Sequence, residues 1–230
     1  MNTLNNFLSY SKQFTNISKK MFNNVYKLDH YAYRTFDYSR IISKYPDYNL
    51  EKEKYEFKNN VSARWLSKNM EPSIFVSQYN GILCDKNIKK NTTINLDKLN
   101  YYMKNNTFLK DYDFYRQVNN YDQYLSWTLL FKNNINHVAF LVNDITETHD
   151  LIKNNFTEYQ INNPENPIQI SKDKNLLQFS IMSDTIPYKF DSKIIEVPFT
   201  FIEFVERKKN RRGFESENAE KIFESTKKIN

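Results

Sequence analysis

Apolar positions recur at Leu4, Phe7, Phe14, Ile17, Met21 and Val25, with polar residues between them. This helical spacing predicts an amphipathic helix over 3–26. The pattern then shortens to alternation. L-D-H-Y-A-Y-R-T-F (28–36) is aromatic and strand-like, with a short helix at 39–44 after it. Short strands are predicted at 54–58, 61–67 and 73–79. Leu99, Tyr102, Met103, Tyr115, Val118, Tyr121 and Leu125 return to helical spacing, which predicts one or two helices over 97–131. I-N-H-V-A-F-L-V (135–142) is a further strand, and Thr146 is placed as the cap of a helix running to about 154. N-P-E-N-P (163–167) is a loop. Strands are expected at 168–171, 175–183 and 197–206, and Ser216 precedes a last helix over 217–228.

The order is helix, β-α-β-β-β, helices, β-α-β-β-β, helix. The two units open alike: His30-Tyr31-Ala32-Tyr33 and His137-Val138-Ala139-Phe140 both read His, apolar, Ala, aromatic. A short repeat at equivalent points argues for two related modules. The expectation is a single α+β domain over 1–230. Its parts are an N-terminal helix (3–26), module one (about 28–80), a helical insert (97–131), module two (135–207) and a C-terminal helix (217–228).

Composition narrows the chemistry. The chain has 230 residues, enough to bury a large core without staples. Hydrophobic residues make up 40% and aromatics 16%, so it folds despite a mean hydropathy of -0.76. Gly occurs twice, at Gly81 and Gly213, which excludes glycine-rich nucleotide loops. The lone Cys84 excludes internal disulfides and Cys-rich zinc sites. Any transition-metal site must use His30, His137, His149 and carboxylates. The net charge of +6 suggests an anionic partner. Lys is nevertheless scattered, with no run beyond two, and phosphate readers cluster their cations. No nucleic-acid partner is expected, whereas a small dianionic substrate would suit the field. No stretch approaches the length of a membrane span. The Lys-bearing, acid-free first 28 residues resemble a transit peptide in part. Their helical spacing and lack of Arg favour a structural helix. A soluble cytoplasmic protein is expected.

Alternation along a strand places His30, Ala32 and Arg34 on one face, and His137, Ala139 and Leu141 on another. In P-F-T-F-I-E-F-V-E-R (198–207), Glu203 falls between Phe201 and Val205 on an apolar face. A carboxylate buried there is costly unless paired or bound to a metal. Two His and one carboxylate suit Fe(II), and also Zn, Mn or Ni. Two satisfied core histidines and a Glu paired with Lys or Arg would read the same way.

The motifs themselves resemble a known family. D-H-Y-A-Y-R-T-F (29–36), I-F-V-S (74–77), Y-L-S-W (124–127), N-H-V-A (136–139), L-L-Q (176–178), P-F-T-F-I-E-F-V-E-R (198–207) and G-F-E-S-E-N-A-E-K-I-F-E-S-T (213–226) occur in order. Together they are similar to the 2-oxoadipate dioxygenase/decarboxylase family of the vicinal oxygen chelate superfamily. The resemblance implies paired β-α-β-β-β modules forming a half-barrel around one metal, with extra helices. It implies His30, His137 and Glu203 as ligands of Fe(II), with O2 as co-substrate. It implies Arg34 as the catalytic clamp on a substrate carboxylate, a role its planar fork fits. Gln178 is a candidate for hydrogen bonding substrate from a neighbouring strand. The implied reaction converts a 2-oxo dicarboxylic acid, 2-oxoadipate, to 2-hydroxyglutarate and carbon dioxide.

Two departures bear on this. Ser77-Gln78-Tyr79 stands where the family usually has S-E-L, so Gln78 brings no charge to a position beside the site. The loops around 80–95 and 156–170 are short, and loops carry specificity. An oxygen-independent lyase or isomerase of the same superfamily, or a ligand-binding relative without activity, are the alternatives. Elsewhere, His149 is expected at the solvated surface. Cys84, Trp65 and Trp127 are expected in the core, and Tyr31 and Tyr33 against a helix.

Overall fold

In the computed structural model the described residues are 25–57, 60–67, 72–79, 94–105, 107–157, 159–181 and 185–215. The predicted C-terminal helix, most of the N-terminal one, and Cys84 lie outside them, as does the side chain of Trp65. The elements in order are β1 (Val25–Thr35), α1 (Ser39–Ile42), β2 (Tyr48–Phe57), β3 (Asn60–Ser67) and β4 (Ser73–Tyr79). Then come α2 (Leu96–Asn105), α3 (Tyr112–Tyr121), α4 (Gln123–Phe131), β5 (Asn134–Val142) and α5 (Ile145–Asn155). The chain continues with β6 (Gln169–Ile170), β7 (Leu176–Ile181), β8 (Thr185–Lys189), β9 (Ile194–Pro198) and β10 (Phe201–Arg207). This is the expected α+β class with two β-α-β-β-β modules. Two corrections apply to the modules. β1 begins at Val25, so the predicted helix cannot extend to 26. A hairpin, β8–β9, interrupts the second module before its last strand. None of the described helices is long and apolar enough to cross a membrane.

The chain divides into two compact units. One contains Met1–His30, His137–Ser183 and Thr200–Asn230; the other contains Tyr31–Asn136 and Asp184–Phe199. In the first unit β10 runs parallel to β5 and antiparallel to β7, and β6 pairs with β7. β7 is buried along its whole length, as an inner strand with both faces covered must be. α5 packs on this sheet. His149 is half-buried there, with its ring edge-on to Phe179 at 5.6 Å, rather than solvated as expected.

In the second unit β2, β3 and β4 form an antiparallel meander, with β1 next to β4. Tyr33 packs with Tyr45 and Tyr48 over Ile41, Ile74 and Val76, so it does meet a helix, the short α1. The main core lies under the helices: Leu99, Phe114, Val118, Leu125, Trp127 and Phe131 are all buried. Trp127 is anchored there, with its indole N–H donating to the Phe199 carbonyl at 2.6 Å.

Among the described residues the insert holds three helices rather than one or two. Asp111 and Asp122 divide it. Each has extended backbone and accepts from amides of the following first turn. Asp144 does the same for α5, taking amides of Thr146 and Glu147, so the cap is Asp144 and not Thr146. Asp144→Ala should cost about 1 kcal/mol, and Asp144→Asn only a fraction of that. A lower urea midpoint at unchanged slope for the Ala variant alone would check it.

Candidate metal centre

Glu203 lies in register with Ala139 of β5 and Ser180 of β7, so its carboxylate rises between two small neighbours. His137 lies on the same face, in register with Phe201. His30 comes from β1, in the same compact unit. All three are buried, at 1%, 7% and 3% exposure for His30, His137 and Glu203.

The ligating atoms converge. His30 Nε2 is 3.3 Å from His137 Nε2, His137 Nε2 is 3.2 Å from Glu203 Oε2, and His30 Nε2 is 3.6 Å from the same oxygen. Donors about 2.1 Å from a metal stand about 3.0 Å apart at right angles and about 3.4 Å apart in a tetrahedron. Two of the measured sides, 3.2 and 3.3 Å, fall between those separations and the third, 3.6 Å, is slightly longer. The donor chemistry fits as well. His30 Nδ1 meets Asp29 Oδ2 at 2.8 Å, and an ionised carboxylate only accepts. Nδ1 therefore donates to Asp29, and Nε2 faces His137 and Glu203. Three donors this close in a buried place need a proton or a metal cation shared among them, and the group could hold a metal ion.

The surroundings hold each ligand. Gln178 Nε2 donates to Glu203 Oε1 at 2.5 Å, which leaves Oε2 for the imidazoles. Burial alone would raise the Glu203 carboxyl. The hydrogen bond and charge of His137, the charge of His30 and the Gln178 amide outweigh burial and hold it below the ordinary carboxylate range. The His137 ring stacks on Phe201 at 4.6 Å between centroids, and Phe214 meets His30 edge-on at 4.8 Å. Asp29 is gripped by Arg207, whose Nε and Nη2 donate to its two oxygens at 2.7 and 2.9 Å.

Burial raises the Asp29 carboxyl, but Arg207 and His30 together overcome this and hold it far below its ordinary value of 3.8. A carboxyl lowered in the fold adds stability above its unfolded value, and that stability is lost as pH falls. Thermal stability should therefore stay level down to about pH 5 and drop below about pH 4. Part of that drop should vanish in Asp29→Asn, as thermal melts across pH would show.

Two candidates take other partners. Gln178, a candidate from sequence for hydrogen bonding substrate, donates from Nε2 to Glu203 Oε1. Gln78 Oε1 accepts from the Tyr38 amide at 2.8 Å, tying β4 to the turn after β1. Arg34 is buried in the second unit. Its guanidinium carbon lies 3.2 Å from the centroid of the Tyr124 ring and 5.6 Å from that of Trp127. Burial pulls its pKa down to about 10 against the opposing effect of Tyr124 and Asp122, so it stays cationic at neutral pH. Asp29 and Arg207 went unassigned at the sequence level. Their signals were an acid directly before a candidate ligand and an Arg at even spacing, on the face of Glu203.

No family model matches the chain. In sequence it is 32% identical over 134 residues to a chloroplastic 2-oxoadipate dioxygenase/decarboxylase of Arabidopsis thaliana. That match covers 49% of this chain and 36% of the relative. A chloroplastic/amyloplastic counterpart from Oryza sativa subsp. japonica is 30% identical over 139 residues, 50% of this chain and 38% of its own. The match thus spans less than two-fifths of each of these relatives. In structure, the hydroxyglutarate synthase of Oryza sativa, solved in complex with 2-oxoadipate, superposes with a TM-score of 0.77. It is 19% identical and covers 96% of this chain and 88% of its own. A Ralstonia eutropha structure provisionally named a glyoxalase superfamily protein gives a TM-score of 0.65 at 14% identity, over 80% of this chain and 73% of its own. The fold is that of the vicinal oxygen chelate proteins. Within that class, the chain resembles the 2-oxoadipate dioxygenase/decarboxylases in sequence over about half its length.

Proposed function

We propose that the chain is a metal-dependent 2-oxo acid dioxygenase/decarboxylase, with Fe(II) held by His30, His137 and Glu203. The observation that carries this reading is the buried convergence of those three donors at metal-ligand separations. Three protein ligands leave open positions, the arrangement used for O2 chemistry at non-haem iron. The bound metal would supply the activation of O2 next to a chelated 2-oxo acid. The similarity to named 2-oxoadipate enzymes supports 2-oxoadipate as substrate. With one O2 it yields one 2-hydroxyglutarate and one carbon dioxide, a balanced exchange.

The chain's residues prepare the site. Asp29 keeps the His30 proton on Nδ1, and Gln178 orients Glu203 so that Oε2 faces the imidazoles. Phe201 and Phe214 shield the two imidazoles from water. Arg34 is assigned the substrate carboxylate, to whose two oxygens a guanidinium donates bidentately.

The test is oxygen uptake and carbon dioxide release by Fe(II)-loaded protein against a panel of 2-oxo acids. Equal uptake and release, with a dicarboxylate preferred over pyruvate, is the expected result. Absence of metal-dependent uptake with every acid would overturn the reading. Turnover that persists without O2 would replace it with a superfamily lyase or isomerase.

A further inference from the structure

We propose that Arg207 is a positioning residue for His30, acting through Asp29 and jointly with the Gly213–Phe214 turn. Seating of that turn then sets how tightly, and in what geometry, the metal is held. The proposal rests on the reading of His30, His137 and Glu203 as a metal centre.

The contacts close a ring. Arg207 lies four residues beyond Glu203 on the same face of β10, so one strand supplies both a ligand and this support. Its fork occupies both oxygens of Asp29, and Oδ2 also takes the His30 Nδ1 proton. With both oxygens engaged, the Asp29 carboxylate cannot rotate, and the imidazole plane follows from it. The remaining amine of Arg207, Nη1, donates to the Gly213 carbonyl at 2.7 Å. Gly213 has φ 78°, a left-handed conformation that a Cβ would oppose. The turn presents its carbonyl to Arg207 and lays Phe214 under both groups. The Phe214 ring is 5.1 Å from the guanidinium carbon and 4.8 Å, edge-on, from the His30 ring. The backbone just past the last described strand is thus part of the support of the first ligand. A Lys at 207 could meet Asp29 as a point charge. It could not hold two carboxylate oxygens and a carbonyl in one plane.

Co(II) is the probe, because its visible bands report ligand geometry and its titration gives affinity without turnover. Metal-free wild type, Arg207→Lys, Arg207→Met, Phe214→Leu and Arg211→Met would be titrated, with near-ultraviolet dichroism as the check of folding. Arg211 is the control, since it pairs with Asp173 on the nearby exposed stretch. Both Arg207 variants should bind Co(II) about 10–100-fold more weakly with shifted bands. Phe214→Leu should shift the bands with a smaller loss, and Arg211→Met should change neither. If Arg207→Met does not fold, Arg207→Lys and Phe214→Leu decide. Wild-type affinity and bands in both would overturn the proposal and leave the metal centre standing. So would an equal change in Arg211→Met, which would mean general loosening. Failure of wild type itself to bind Co(II) would remove the metal reading and this proposal together.

Discussion

Glu203→Ala should abolish metal-dependent turnover while the chain stays folded. Residues that only orient metal ligands are worth about 10–100-fold in affinity or activity, so loss of a ligand should cost more than about a hundredfold. Glu203 is also the anionic member of the triad. Without it, the two imidazoles face one another 3.3 Å apart with no anion beside them to hold a cation. The effect on stability is smaller because two terms oppose. Removing a buried carboxylate removes its desolvation cost, and burial is the largest influence on this group. Gln178, however, loses its acceptor, worth about 1–3 kcal/mol when a buried donor is left unpaired. Glu203→Gln separates charge from shape, since it keeps the volume and loses the anion. Metal content after gel filtration, oxygen uptake and a thermal melt check all three expectations. Metal retained at wild-type level in Glu203→Ala would sink the assignment.

The parts of the fold that could be read from the chain are those where one physical signal acts alone. β4 falls at Ser73–Tyr79 as expected because Ile74, Phe75 and Val76 make an apolar, β-favouring run. The hairpin β8–β9 was not legible. Thr185–Lys189 and Ile194–Pro198 do alternate between exposed and covered positions, but Pro187 and Pro198 read as strand breakers. A two-stranded ribbon leaves one edge of each strand unpaired, and there a missing amide costs nothing. The division of the helical insert was hidden for a different reason. Helical spacing runs on across Asp122, and only the capping carboxylate marks the break. At the site, strand alternation put His30, His137 and Glu203 on inward faces as candidates, and the resemblance implied them as ligands. It could not foresee that Gln178 would turn to Glu203 or that Arg207 would reach Asp29. Those pairings depend on which strands are neighbours, and β10 beside β5 and β7 is not a sequential order. Gly213 carried the one local hint, as one of two glycines in the chain.

Arg34→Lys should keep the metal and lose most activity toward 2-oxo dicarboxylates. The wild-type guanidinium is buried against the faces of Tyr124 and Trp127. A planar cation stacked on rings has its N–H donors along its edge. That geometry suits a carboxylate held by two parallel hydrogen bonds. Lys offers a tetrahedral ammonium, more strongly hydrated and without a flat face to stack. It would lose both the ring contact and the second hydrogen bond. Hydrogen bonds to charged groups are worth about 1.5–3 kcal/mol, so kcat/KM should fall by roughly 10–150-fold. The loss should be largest for substrates bearing a second carboxylate and least for pyruvate, which narrows the preference among acids. Metal affinity should stay at the wild-type value, since Arg34 is not among the metal-binding candidates. Steady-state kinetics across the panel, with Co(II) titration alongside, distinguish these outcomes. An equal loss for every substrate, or weakened metal binding, would make Arg34 a structural cation of the core rather than the substrate's partner.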